Sequence, residues 1–393
     1  MVSQPAFLSF ALLWLAGAGL RSTVLAVPPV IPLIHSDLGL SETEIGILAG
    51  LPSLLFALAA VPGSLLIARV GAVKALVVGL LIDGIASGLR GAAPNTSWLY
   101  AATIAMGAGI AVGQPAMPPI VRAWLPHRIG LGTAVYTNGF LMGATAAAAL
   151  SLPLVLPLVG GSWRLGFAAW AVPVVATAIL VAALAPRADP PKGQAPSAMP
   201  RWWPDWRSSL LWRLGLLFGT NNSVYFTANA FLSDYLNATG AADLISPAMV
   251  ALNVGQVPVS FALIACAGRL ENRLWPYAVS GLGVLAGLTG IVFTSGVFIV
   301  AAAALVGLSL TLTFVLILAL PPMLSAPGDV HRMAAGMFTI SYSTAVLVPA
   351  ASGLLWDLTG VPGAAFAPIA VCAVLIAALA PGLPIGRRSV LGA

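Results

Sequence analysis

Charge is the scarcest commodity in this chain. Asp, Glu, Lys and Arg together make up 7% of its 393 residues. An ordinary soluble domain carries about 25%. With 60% of the residues hydrophobic, the deficit excludes a soluble globular protein and leaves an integral membrane protein with almost no soluble mass. Cysteine is equally sparse. Cys266 and Cys372 both sit in apolar segments, which gives neither a disulfide framework nor a metal set. The three histidines, His35, His127 and His331, fall at predicted span ends with no second ligand at metal spacing. No GxxxxGK[ST] loop, G-x-S-x-G elbow or paired-acid motif occurs, so ATP drive and enzymatic chemistry are not expected. No cofactor and no metal are expected either. No basic n-region precedes the first apolar run, so no cleaved signal peptide is expected. The net charge of +6 is not a nucleic-acid signal, because most Lys and Arg lie in short gaps between apolar runs.

Those runs are what the sequence does contain. Twelve apolar segments can be drawn, at 7–34, 43–68, 72–91, 97–122, 129–157, 164–185, 209–236, 244–268, 274–294, 296–325, 332–356 and 361–384. Each is long enough to cross a bilayer, which takes about 20 residues. The stretch from Arg187 to Arg207 differs. It holds Pro190, Pro191, Lys192, Gly193, Pro196 and Pro200, then Arg201-Trp202-Trp203-Pro204. This reads as a polar linker with an interfacial aromatic and basic patch. The expected organisation is an N-terminal six-helix bundle over 1–186, a cytoplasmic linker over 187–208 and a C-terminal six-helix bundle over 209–393.

The distribution of cations orients this map. With the N-terminus inside, Arg69, Lys74, Arg122, Arg128, Arg187, Lys192, Arg201, Arg207, Arg213, Arg269, Arg273, Arg332, Arg387 and Arg388 face the cytoplasm. Arg90 and Arg164 alone fall at outer ends, and the bias places both termini in the cytoplasm. An internal repeat supports the division into halves. Pro118-Pro119, His127-Arg128 and Gly132 recur at nearly the same spacing as Pro321-Pro322, His331-Arg332 and Gly336. Both sets fall between the fourth and fifth spans of their half. Two similar six-helix halves are a build of secondary transporters.

Arg21 lies near the middle of the first apolar segment. A guanidinium does not deprotonate to escape lipid, so it faces a bundle interior or a watery cavity and marks a site for something negative or strongly dipolar. The competing reading is an Arg that snorkels or pairs with a carboxylate to hold two helices. Asp83 is the other charge well inside a span, with Arg90 seven residues on near the helix end. It reads as a counter-ion, a proton carrier for coupling, or one half of a structural salt link. The seventh span carries Asn222, Tyr225 and Asn229 at i, i+3, i+7, and the eighth carries Asn253, Gln256 and Ser260 at the same spacing. Each set lies on one helix face, as a polar wall or as interhelical hydrogen-bond glue. Gln114, Tyr136, Asn138 and Tyr342 complete the candidate substrate-binding set. Prolines are expected to interrupt spans one, four, five and ten.

Leu20-Arg21-Ser22, the prolines from Val27 to Pro32, Asp37-Leu38-Gly39-Leu40-Ser41, the Gly-rich stretch from Gly107 to Gly113 with Pro118, Pro126-His127-Arg128, Trp163-Arg164 and Asp357-Leu358-Thr359-Gly360 form a recognisable series. It resembles the major facilitator superfamily and, within it, the cyanate and nitroimidazole porter family. The resemblance covers nearly the whole chain, with Ser22 standing where that family usually has Pro. The superfamily loop between spans two and three is degraded, with Ser64 for its Gly and Ala68 for its Asp, so its gating role does not transfer. The resemblance implies an all-α membrane protein of twelve transmembrane helices in two pseudo-symmetric bundles, working as a monomer. It implies a secondary transporter of a small anion, cyanate-like or organic, moving by alternating access with protons as a candidate coupling partner. The alternative is an exporter of drugs or of neutral compounds such as nitroimidazoles. Richness in Ala, Gly and Pro suits a bacterial source, and the expected location is the cell inner membrane.

Overall fold

The computed structural model describes residues 6–40, 42–186, 201–270 and 272–384. The linker residues 187–200, Ser41 of the outer-loop motif and the basic pair Arg387 and Arg388 lie outside the described residues. The described residues form helices joined by turns, with no β-strand among them. That follows from composition. In hydrocarbon the backbone must satisfy its own polar groups, and a helix does so within one segment.

The first apolar segment folds as α1 (Ala6–Leu25), a tight turn at Pro28–Val30 and α2 (Ile31–Leu38). The missing N–H groups of Pro28 and Pro29 end α1, and Pro32 is tolerated in the first turn of α2. Then come α3 (Glu42–Val70), α4 (Ala72–Gly91) and α5 (Thr96–Trp124). Asn95 caps α5, its side chain accepting from Trp98 N at 2.9 Å. The fifth segment is α6 (Ile129–Leu150), a π-helical turn at Ser151–Val155 and the short α7 (Leu156–Leu158). The sixth is α8 (Trp163–Leu184). The later segments give α9 (Ser209–Ala238), α10 (Ile245–Val254), α11 (Gln256–Leu270), α12 (Trp275–Phe293), α13 (Val297–Leu324), α14 (Val330–Thr359) and α15 (Ala367–Leu379). All twelve expected segments are therefore helical.

Eleven of the described segments are long and apolar enough to cross a membrane. The exception is α9, whose 30 residues include Thr220, Asn221, Asn222 and Ser223 in succession. Proline behaves differently from expectation in two places. α5 runs unbroken through Pro115, Pro118 and Pro119, and α13 carries Pro321 and Pro322 in its last turn. The eighth segment, where no break was expected, is broken at Gly255 between α10 and α11. Pro258 lacks the N–H that would bond the Val254 carbonyl. A Cβ on Gly255 would also stand 3.1 Å from the Ala304 carbonyl oxygen, so the backbones of α10 and α13 approach closely there.

The chain forms two compact units, one running to Pro204 and including Ser325–Ala335, the other made of Asp205–Leu324 and the chain from Gly336 onward. In the first unit α1 packs on α6, α4 lies between α5 and α8, and α3 packs on α5. Gly139 and Gly143 make the α1–α6 contact close. A Cβ on Gly143 would come within 2.7 Å of Ala18 Cα. Gly139-x-x-x-Gly143 is thus a helix-packing pair against α1. At one end of these helices Asp37 accepts hydrogen bonds from Trp163 Nε1 at 3.0 Å and from Arg164. Near Arg201–Pro204 the Ser64 hydroxyl donates to the Trp202 carbonyl at 2.8 Å, and His331 Nε2 bonds the Arg201 carbonyl at 3.1 Å. Arg122 donates to the Ser325 carbonyl. These contacts explain why Ser325–Ala335 groups with the first unit. The two repeat histidines are consequently unlike: His127 is exposed, and His331 is almost buried. In the second unit α13 packs on α10, α11 and α12, and α15 packs on α9 and α12.

Candidate functional site

In the first unit the candidate residues gather along α1. Trp14 and Arg21 are seven residues apart, hence on one face, and both meet α6. Trp14 Nε1 donates to Asn138 Oδ1 at 2.8 Å. The Arg21 guanidinium carbon lies 5.7 Å from the ring centroid of Phe140 on α6 and 5.8 Å from that of Phe56 on α3. Both rings are buried, while Arg21 is half-buried. A guanidinium is planar and weakly hydrated, so aromatic faces accept it where an ammonium would stay in water. Tyr136, one turn before Phe140, is buried and meets that ring edge-on at 5.3 Å. Its hydroxyl has no hydrogen-bond partner. Gln114 is buried on α5 next to Gly113, whose Cβ would stand 2.6 Å from a methyl of Leu20. Arg21, Tyr136, Asn138 and Gln114 thus share one region, although the Asn138 carbonyl oxygen is already occupied by Trp14. Phe56, Phe140 and Trp14 are neighbours that sequence reasoning missed. The i, i+7 spacing of Trp14 and Arg21 was the available signal.

Asp83 is fully buried on α4, its Oδ1 accepting from Thr23 Oγ1 at 2.8 Å. Its Oδ2 has no hydrogen-bond partner. Arg90 stands in the last turn of α4, as expected, but is fully buried. One arm donates to the Thr23 carbonyl at 2.9 Å, and the other meets Met106 Sδ at 2.9 Å. Its guanidinium carbon lies 4.3 Å from the Phe167 ring centroid. No direct ion pair joins Asp83 to Arg90. Seven residues is about 10 Å along a helix, more than the short Asp side chain can close, so Thr23 stands between the two charges. Thr23 is two residues from Arg21 on the same helix.

In the second unit, Asn222 Nδ2 donates to Ser341 Oγ on α14 at 2.8 Å. Tyr225 OH donates to Asn253 Oδ1 at 3.1 Å, and Asn253 Nδ2 donates to Asn229 Oδ1 at 2.9 Å and to the Met249 carbonyl at 3.0 Å. Asn229 Nδ2 returns to the Tyr225 carbonyl at 2.9 Å. These amides answer one another and tie α9 to α10. Gln256 is buried at the start of α11, immediately after the break. Tyr342 is buried and stacks on Phe338, with ring centroids 6.1 Å apart and planes 12° from parallel. Asn221 is buried with its carbonyl oxygen unpartnered.

Known proteins resemble this chain at two levels. In sequence, the family model described as Major Facilitator Superfamily matches residues 7–274. An uncharacterized transporter of Bacillus subtilis (strain 168) is 26% identical over 69% of this chain and 67% of its own length. The 2-nitroimidazole transporter of Escherichia coli (strain K12) is 27% identical over 56% of this chain and 55% of its own length. The cyanate transport protein of the same organism is 25% identical over 88% of this chain and 89% of its own length. In structure, the human organic anion transporter MFSD10 superposes with a TM-score of 0.80 at 13% identity, over 96% of this chain and 100% of its own. At that identity the likeness concerns the fold alone.

Proposed function

We propose, from the premise that this chain belongs to the Major Facilitator Superfamily, that it is a secondary transporter moving a small anion, cyanate-like or organic, by alternating access across the cell inner membrane. Arg21 is the anchor for the anion. The observation that carries this reading is a guanidinium inside the first span, set against the rings of Phe56 and Phe140. A cation held among ring faces in a low-dielectric interior attracts a small anion strongly, and the rings limit its size. The resemblance to a cyanate transport protein along most of both chains supports the same substrate class.

Tyr136 and Gln114 are the neutral candidates in the same unit as Arg21, and Asn222, Gln256 and Tyr342 are separate candidates within the second unit. Asn138, Tyr225, Asn229 and Asn253 take part chiefly by holding helices, because their polar atoms already bond one another or Trp14. Coupling runs through protons and Asp83. An anion entering against a negative-inside potential costs about 2.3 kcal/mol per 100 mV, which proton symport offsets. The unpartnered Oδ2 of Asp83 supports this role, as does its bond to Thr23, two residues from Arg21. Both termini are cytoplasmic, and the protein works as a monomer in the bilayer.

The test is uptake of labelled cyanate and labelled 2-nitroimidazole by proteoliposomes. Cyanate uptake that Arg21→Ala abolishes while the variant still folds supports the proposal. Retained uptake at normal affinity in that variant sinks it. Export of 2-nitroimidazole, indifferent to Arg21, would install the second reading, which the relative carrying that name favours.

A further inference from the structure

One aromatic and basic stretch is left unused by the transport reading. Within the second unit it comprises Trp206, Arg207, Trp212 and Arg213, at the start of α9. The rings of Trp206 and Trp212 lie 6.3 Å apart, and Trp212 Nε1 donates to the Trp206 carbonyl at 2.8 Å. Trp212, Arg207 and Arg213 are exposed. Next to them is a cavity of about 300 Å³, walled by Ser209, Leu210 and Arg213 on one side and by Pro381, Gly382 and Leu383 on the other. Arg213 donates to the Gly382 carbonyl, which fixes its guanidinium at the cavity wall with further N–H donors in reserve. The acidic residue of the stretch is Asp205, whose carboxylate accepts from the Arg207 backbone N–H at 3.2 Å.

This cavity lies where α9 begins and just beyond the end of α15, so its depth is that of the lipid headgroups. Tryptophan pairs belong at that depth, their rings amphipathic and their N–H groups bonded. Basic pockets between helices at the same depth take phosphate-bearing heads. Charge, depth and volume agree. We propose that the cavity at the start of α9 binds the phosphate of an anionic phospholipid headgroup, with Arg213 as its cation and the Trp206–Trp212 pair bordering the acyl chains.

The probe is phosphatidylglycerol, added to the purified full chain in a neutral detergent. Thermal unfolding is followed against lipid concentration, with phosphatidylcholine and inorganic phosphate in parallel. A ligand that binds the native state raises its unfolding temperature by mass action. The expected result is a saturable rise with phosphatidylglycerol and none with the other two. Arg213→Gln should weaken the apparent affinity about fivefold, the worth of one cation near an anionic surface. Arg213→Gln also removes the bond to Gly382, so Ser209→Glu is the companion variant. A carboxylate in the first turn of α9 suits the helix dipole, so basal stability holds while the phosphate is repelled. Equal rises with phosphatidylcholine overturn the proposal, as does a phosphatidylglycerol response unchanged in both variants. Inorganic phosphate reproducing the whole effect overturns the lipid assignment.

Discussion

Asp37 and Arg164 form an ion pair across 127 residues of chain. The pair fastens the end of α2 to the start of α8, and a second bond from Arg164 to the Ala93 carbonyl at 3.0 Å brings in the turn after α4. The charge itself contributes little. Its side chains are 35% and 43% exposed, and such pairs are worth about 0–1 kcal/mol. In a cycle of Asp37→Ala, Arg164→Ala and the double variant, the coupling energy should fall below about 1 kcal/mol and shrink with added salt. Thermal unfolding at two ionic strengths measures it. A coupling of several kcal/mol, insensitive to salt, would refute this account.

Arg90 is the more consequential cation. Arg90→Met removes the positive charge from the neighbourhood of Asp83, Thr23 and Phe167, all buried. Stranding a buried charge costs about 3–5 kcal/mol. The double variant Asp83→Asn with Arg90→Met should be more stable than Arg90→Met alone, because no lone charge stays behind. Denaturation of the three proteins in the same detergent decides the sign. A double variant weaker than the single would mean that the two side chains act independently.

The amide cluster of the second unit separates glue from binding wall. Asn253→Ala deprives Tyr225 OH and Asn229 Oδ1 of their partner. Side-chain hydrogen bonds between membrane helices average about 0.6 kcal/mol and reach about 1.7. A small loss of unfolding temperature with an unchanged KM is expected in a transport assay. A tenfold rise in KM without loss of stability would instead place Asn253 in the binding wall.

Glycine substitutions probe the α1–α6 contact. Gly143→Leu pushes a side chain into the backbone of α1 around Ala18 and should cost at least about 1–3 kcal/mol. Gly88→Ala is the control. Its added methyl would meet nothing nearer than Ala171 Cβ at 3.7 Å, and the better helix propensity of alanine makes it neutral or stabilising. Comparable losses of unfolding temperature in the two variants would contradict close packing at Gly143.

The spans were legible because hydropathy and length decide them, and all twelve segments became helices. The breaks were not. Pro115, Pro118 and Pro119 stand in a helix most of whose side chains are buried against neighbouring helices, and it runs through them unbroken, whereas Pro258 acts together with a glycine pressed against Ala304. Arg21 stood out in the sequence, but its ring neighbours come from α3 and α6, so no spacing along the chain could show them. The burial of Arg90 was hidden for a related reason. Proximity to a helix end suggested water, but α4 is covered on both sides by α5 and α8, and that coverage is a property of the bundle.

The polarity of α9 bears on how the chain is made as well as on how it works. A segment with Asn221, Asn222 and Asn229 in its interior partitions poorly into lipid when it leaves the translocon alone. Its amides find partners on α10 and α14, which are synthesised later. Membrane integration of α9 must therefore wait for downstream helices. A nascent chain truncated just after Ala241 would leave α9 as a degradation signal, whereas one extended through Ala267 would retain it in the bilayer.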